Sequence, residues 1–221
     1  AHVGPRGEKG RIKRFNAYFA ELMKTPMQLG WFLAVVVIAV AAVFLLAAFA
    51  AAVKIDSFAY MPVQDFGNAF STYVAQNYGA NQPERIRKGI RSAAATSAVF
   101  CICISVLVCL FAAPLIQIFM DPSQTGIVAA GVHYLHIEGA CYLGIGMLFL
   151  LYGYYRAVNQ PGMSVILTIA SLGTRVALAY LLSATPLGVT GIWLSVPIGW
   201  ALADAIGIGY YFKNKKTKAA A

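Results

Sequence analysis

Four carboxylic side chains, Asp56, Asp65, Glu138 and Asp204, stand in stretches otherwise apolar enough for a lipid bilayer, and only Lys54 and Arg175 oppose them there. A charge facing lipid is costly unless it meets other protein or a water-filled cavity. Such groups therefore mark either static ties between helices or an ion path. Titratable carboxyls in a low-dielectric site suit the binding of a proton or cation. Asp56 and Glu138, with Asp65 as a third, are the residues expected to couple to H+ or Na+. Lys54 and Arg175 stay open to two readings, helix tie or cavity wall.

Neutral polar residues accompany these charges in a regular pattern. In KIDSFAYMPVQDFGNAFSTYVAQNYGA, starting at Lys54, a helical plot at about 100° per residue puts Ser57, Tyr60, Gln64, Asn68 and Ser71 on one face. Lys54 and Asp65 flank that face on one side and Asp56 on the other, and Pro62 and Gly67 predict a kink. A later apolar segment carries Ser164, Thr168, Ser171 and Arg175 on one face. Two such stripes facing each other enclose a cavity, so all ten residues are expected to line it: Lys54, Ser57, Tyr60, Gln64, Asn68, Ser71, Ser164, Thr168, Ser171 and Arg175. By helical rise, Glu138 and Arg175 lie about 12 and 13 Å below the same membrane face, and an ion pair between them is expected in at least one state.

Other chemistries find little support. His133, His136 and Glu138 tempt a metal reading, but Glu138 points well away from His136 on a helix, and the histidines read as interfacial. There is no Gly-rich phosphate loop, nucleophile elbow or HExxH pattern. The four cysteines, Cys101, Cys103, Cys109 and Cys141, lie in apolar runs without chelating spacing. Neither a cofactor nor a metal is expected, and the chain does not read as an enzyme.

The elements that must hold these residues are membrane helices. The 221 residues are 60% hydrophobic and 11% charged, against about 25% charged in soluble domains. No charge interrupts residues 29–53, long enough for one span. The polar segment follows at about 52–76, then spans at about 92–119, 127–156, 161–183 and 189–212. A basic stretch, residues 1–26, precedes this six-helix lobe (27–212) with an expected interfacial helix, and a basic tail (213–221) follows it. Of 17 Lys and Arg, 15 lie in the N-terminal segment, two connecting loops and the tail. The outer connections carry none, which places both termini in the cytoplasm. A rival five-span reading would put the tail outside. This distribution also argues for a bilayer, not nucleic acid, as partner. The chain begins with Ala1, shows no cleavable signal peptide and reads as a fragment.

With these residues in view, the chain from about Ala47 to Tyr211 resembles the C-terminal half of a multidrug and toxic compound extrusion (MATE) transporter. The resemblance rests on the Lys54 stretch, HYLHIEGACYLGIG from His133, YGYYRAVNQPGMSVILTIASLGTRVALAYLL from Tyr152, and GIWLSVPIGWALAD from Gly191. It implies an all-α membrane protein built from two six-helix lobes, of which this chain is one, the other being an N-terminal lobe or a second copy. It also implies export of small organic compounds, expected to be cationic and amphipathic, driven by H+ or Na+ across the plasma membrane, in bacteria the inner one. Two alternatives are a flippase for lipid-linked sugars, favoured by Lys54 and Arg175, and a truncated lobe without transport of its own.

Overall fold

A computed structural model describes residues 12–14, 17 and 26–220, all helices and short turns. They form α1 (Pro26–Gly79), α2 (Pro83–Leu110), a short α3 (Ala112–Gln117), α4 (Thr125–Gly139), α5 (Tyr142–Ala157), α6 (Pro161–Ser183) and α7 (Val189–Ala220). Residues 12–14 and 17 are helical, and the rest of the expected interfacial helix lies outside the described residues.

The chain divides into two compact units, Ala1–Ala47 and Ala48–Ala221. In the first, Trp31, Leu33, Val35, Val37 and Ile38 are all exposed, as expected of a helix whose solvent is lipid. The second is the helical bundle. Its exterior is as apolar as its core: Val99, Ile102, Val106 and Leu110 on α2 and Val165, Ile169, Val176 and Leu181 on α6 face outward. Lipid tails are as apolar as these side chains, so burial alone gives such helices little reason to associate, and close packing decides.

The inward face of α1 shows this packing. Ala52, Ile55, Ala59, Val63, Gly67, Phe70 and Val74 are buried at helical spacing. Ala52, Ile55, Ala59 and Val63 meet Tyr142, Ile145, Leu148 and Leu151 of α5, Cys101 and Val108 of α2, and Leu167 of α6 in one core, while Phe70 and Val74 pack with Ala93, Leu150, Ala157 and Val158 in a second. The helix continues through Pro62 and Gly67. Gly67 serves a close approach: a Cβ on Gly153 of α5 would stand 2.6 Å from the Gly67 carbonyl oxygen, and one on Gly67 would stand 3.1 Å from the Phe149 carbonyl oxygen.

Several expected boundaries move. Residues 29–76 belong to one helix, with no turn near Val53, because nothing between Phe49 and Phe58 breaks it. The basic residues Arg85 to Arg91 lie in the first turns of α2, not in a loop, since Pro83 suits the first helical position and Glu84 the positive helix end. The third span stops at Leu110, and Pro114 sits in the first turn of α3. The turn between α3 and α4 is closed by the Ser123 N–H donating to Asp121 Oδ1 at 2.9 Å, which holds this exposed carboxyl below its usual range. Among the described residues α2, α6 and residues 189–214 of α7 are each long and apolar enough to cross a membrane, and α4 with α5 does so as a pair bent by 49°. The polar half of α1 is not among them.

Candidate functional site

Two helix breaks position the chemistry. The first separates α4 from α5, where the fourth span was expected to run straight. Ala140 and Cys141 interrupt the helix, the Cys141 N–H turning back to the Glu138 carbonyl at 2.9 Å. Glu138 thus ends one half-helix and Tyr142 opens the next. The second is a π-helical turn in α6 at Ile169–Gly173. A π turn adds a residue and rotates everything after it, a device frequent at functional sites. It lets α7 close in, since a Cβ on Gly199 would stand 2.7 Å from the Ser171 carbonyl oxygen.

At the first break Asp56 (5% exposed) and Glu138 (3% exposed) come together inside the bundle. Their carboxyls lie near enough to act on each other, Tyr134 acts on Glu138, and Arg175 acts on both acids electrostatically. The Tyr142 hydroxyl is near enough to Asp56 to interact with it. Yet it closes no hydrogen bond, and Asp56 Oδ1 and Arg175 Nε are likewise buried without a hydrogen-bond partner. Burying like charges side by side in a low dielectric is strongly unfavourable without a compensating positive charge. The Arg175–Glu138 ion pair, expected in at least one state, is not closed in this structure, where Arg175 acts on Glu138 electrostatically without one among the described residues. The π turn at Ile169–Gly173 lies between Thr168 and Arg175 and rotates Arg175 away from the position a straight-helix plot gives it.

A second polar region opens at the other end of the same helices. A cavity of about 420 Å³ is lined by Gln64 and Asn68 of α1, Phe149, Tyr152 and Arg156 of α5, and Pro161, Ser164 and Thr168 of α6. Arg156 Nη2 donates to Asn68 Oδ1 at 3.2 Å. Thr168 Oγ1 donates to the Ser164 carbonyl at 3.0 Å and pairs with the Tyr152 hydroxyl at 3.3 Å. Ser164 Oγ is buried and unpartnered.

The ten residues expected along one cavity therefore separate. Gln64, Asn68, Ser164 and Thr168 line it. Ser57 and Tyr60 pair with each other at 3.5 Å, the Tyr60 ring lying 6.1 Å from Phe149. Ser71 packs where Gly153 meets α1, and Ser171 is buried against α7. Arg175 belongs with the acids, while Lys54 and Asp65 are exposed on α1, outside the carboxyl pair. His133 and His136 diverge, His133 to Thr190 and the Trp193 ring, His136 to the Cys109 carbonyl at 3.0 Å. Sequence reasoning passed over Tyr134 and Tyr142, each four residues from Glu138, and Arg156, read as a span end. Asp204 is a further half-buried acid, packed near Gly144 with Oδ1 unpartnered.

An all-α bundle with apolar exterior, a broken helix carrying an acid and a polar cavity defines a multi-pass membrane protein. The MatE family pattern matches residues 22–181, and the chain belongs to this family of membrane transporters. It is similar to the probable multidrug resistance protein YoeA of Bacillus subtilis (strain 168), 26% identical over 167 residues. It is also similar to the FAD transporter of Shewanella oneidensis, 24% identical over 166 residues. Each alignment covers 75% of this chain and 36% of the relative, so the chain spans about a third of the length of the curated relatives it matches. No solved structure matches the chain.

Proposed function

We propose that this chain is the cation-coupling lobe of an exporter of small organic compounds. The observation that carries the reading is the pair of buried carboxyls, Asp56 and Glu138, interacting with each other without an ion-paired cation. H+ or Na+ entering from outside neutralises the pair, and its departure restores a repulsion that α5 relieves by moving on its hinge at Ala140 and Cys141. Transporter sites of this kind occur at broken helices, with coupling through the rocking of one lobe against another. The second lobe comes from the same protein or from a second copy. The exposed polar groups Gln64 and Asn68 of α1 would be costly against lipid, which supports such a covering lobe. Basic connections and tail lie in the cytoplasm of a cell with this protein in its plasma membrane. An impermeant thiol reagent outside whole cells should reach Ser123→Cys and not Lys213→Cys, and the reverse labelling would contradict that orientation.

Cationic amphipathic drugs are the first substrate class, supported by the surplus of buried acid and by similarity to a multidrug resistance protein. A second reading is favoured by the cavity itself: Arg156 lines it and no carboxylate does, which suits an anionic aromatic substrate, and one relative carries the name FAD transporter. Proteoliposomes of the assembled protein decide between them. Efflux of ethidium or of FAD should rise at least tenfold when an inward H+ or Na+ gradient is imposed, and the substrate that responds names the class. Equal rates with and without either gradient, for both substrates, would overturn the coupling.

A further inference from the structure

A separate pocket of about 420 Å³ opens at the basic end of the bundle and shares no lining residue with the cavity at Asn68. Its volume falls in the range of small-molecule sites, about 300–1,000 Å³. Tyr78 from the end of α1, Arg87 of α2, Tyr154 and Gln160 from the end of α5 and its following turn, and Tyr211 and Asn214 of α7 form its polar wall. The Tyr154 and Tyr211 rings meet edge to face with centroids 5.4 Å apart. Neighbouring Tyr155 spends its hydroxyl on the Gly207 carbonyl at 2.6 Å. The hydroxyls of Tyr78, Tyr154 and Tyr211 and the amides of Gln160 and Asn214, by contrast, have no hydrogen-bond partner among the described residues. The wall therefore offers five neutral hydrogen-bonding groups around one guanidinium.

The charge of the pocket decides its ligand. No carboxylate lines it. Glu84 reaches Arg87 at 3.7 Å from an exposed position on the same helix, a loose pairing that contributes little and yields readily. Arg85, Lys88 and Arg91 on α2 and Lys213 beside Asn214 add to the positive field. Aromatic cages can hold cations, but this field opposes one.

We propose that the pocket binds a phosphate ester, the anionic phosphoglycerol headgroup of a bilayer phospholipid or a soluble glycerophosphate of the same chemistry. The planar guanidinium of Arg87 takes two phosphate oxygens, and the tyrosine hydroxyls and the two amides bond the remaining oxygens and the glycerol. A basic pocket between helices with tyrosines at headgroup depth is where a membrane offers such a group.

The test is native mass spectrometry of the purified protein, exchanged into equal amounts of phosphatidylglycerol and phosphatidylcholine, beside thermal melting with added glycerol 3-phosphate. The intact protein should retain phosphatidylglycerol at least fivefold over phosphatidylcholine. Arg87→Gln and Tyr211→Leu should each bring that ratio close to one, while Arg87→Lys keeps part of it and Glu84→Gln keeps all of it. The ratio is read within one preparation, so a lower yield of a variant does not affect it. Lipid selectivity without a melting shift identifies the membrane as the source. A melting shift with glycerol 3-phosphate that Arg87→Gln removes identifies the soluble ester. Equal retention of both lipids by the intact protein, with no shift on adding glycerol 3-phosphate, would overturn the proposal.

Discussion

Asp56 and Glu138 are almost wholly closed off from solvent, beside two tyrosines and with a guanidinium acting from a distance. Twelve residues further along the same helix, about 18 Å by helical rise, Asn68 stands exposed at the rim of a cavity whose one charged wall residue is Arg156. The closed region holds negative charge with too few partners, and the open region holds hydrogen-bonding groups and space. On the function proposed, a single proton or ion satisfies the first, whereas a molecule of many atoms fills the second. If the proposed roles hold, coupling and substrate recognition need not share residues, only helices: α1 and α5 contribute to both regions, and α6 joins them through its π turn.

That shared frame is the place to break both regions at once. Gly153→Val puts side-chain atoms where a Cβ alone stands 2.6 Å from the Gly67 carbonyl oxygen. Backbone cannot yield as a side chain would, and overpacking typically costs about 1–3 kcal/mol. The expected loss lies at or above the upper end, seen as a lowered melting temperature in detergent together with failure of both binding and transport. An unchanged melting temperature would mean that α1 and α5 do not pack as described.

The next variant is meant to separate the regions. Arg156→Gln removes the cavity's charge and its bond to Asn68 without touching the acids. Affinity for an anionic substrate should fall about tenfold, equivalent to about 1.4 kcal/mol, while the dependence of transport on the imposed gradient stays as it was. Substrate titrations of the purified protein at two gradient strengths give both quantities. A changed gradient dependence with unchanged affinity would exchange the roles assigned to the two regions.

The smallest effect is expected between Arg175 and Glu138. Severing a buried ion pair by removing one partner costs about 3–5 kcal/mol, but here no direct pair exists. Arg175→Leu and Glu138→Leu in a double-mutant cycle on stability should couple by about 1 kcal/mol or less. Coupling near 3 kcal/mol would show that the two residues meet directly and that the π turn does not keep them apart.

The sequence made the parts of this picture visible unequally. Asp56 and Glu138 were legible because an ionisable group in an apolar run is conspicuous wherever the helix turns it. Gln64, Asn68, Ser164 and Thr168 were legible from a 100° plot because no irregularity intervenes between the members of each pair. Ser171 and Arg175 were misplaced beside them because a π turn shifts the phase of all that follows, and no residue in Ile169–Gly173 announces it. The bend at Ala140 and Cys141 hid for the same reason: neither residue is a helix breaker. Arg156 was read only as the end of a span, while its bond to Asn68 depends on two helices crossing, a matter of packing.

Gradient-driven transport and equilibrium substrate binding, measured on the same preparations of Asp56→Asn and Glu138→Gln, test the division between the regions most directly. If the carboxyl pair holds the coupling cation and the cavity holds the substrate, each variant binds substrate within about threefold of the unaltered protein, a difference of roughly 0.7 kcal/mol. Its response to an imposed H+ or Na+ gradient, however, falls at least tenfold. Full gradient-driven transport in both variants would contradict the account, as would a loss of binding equal to the loss of transport.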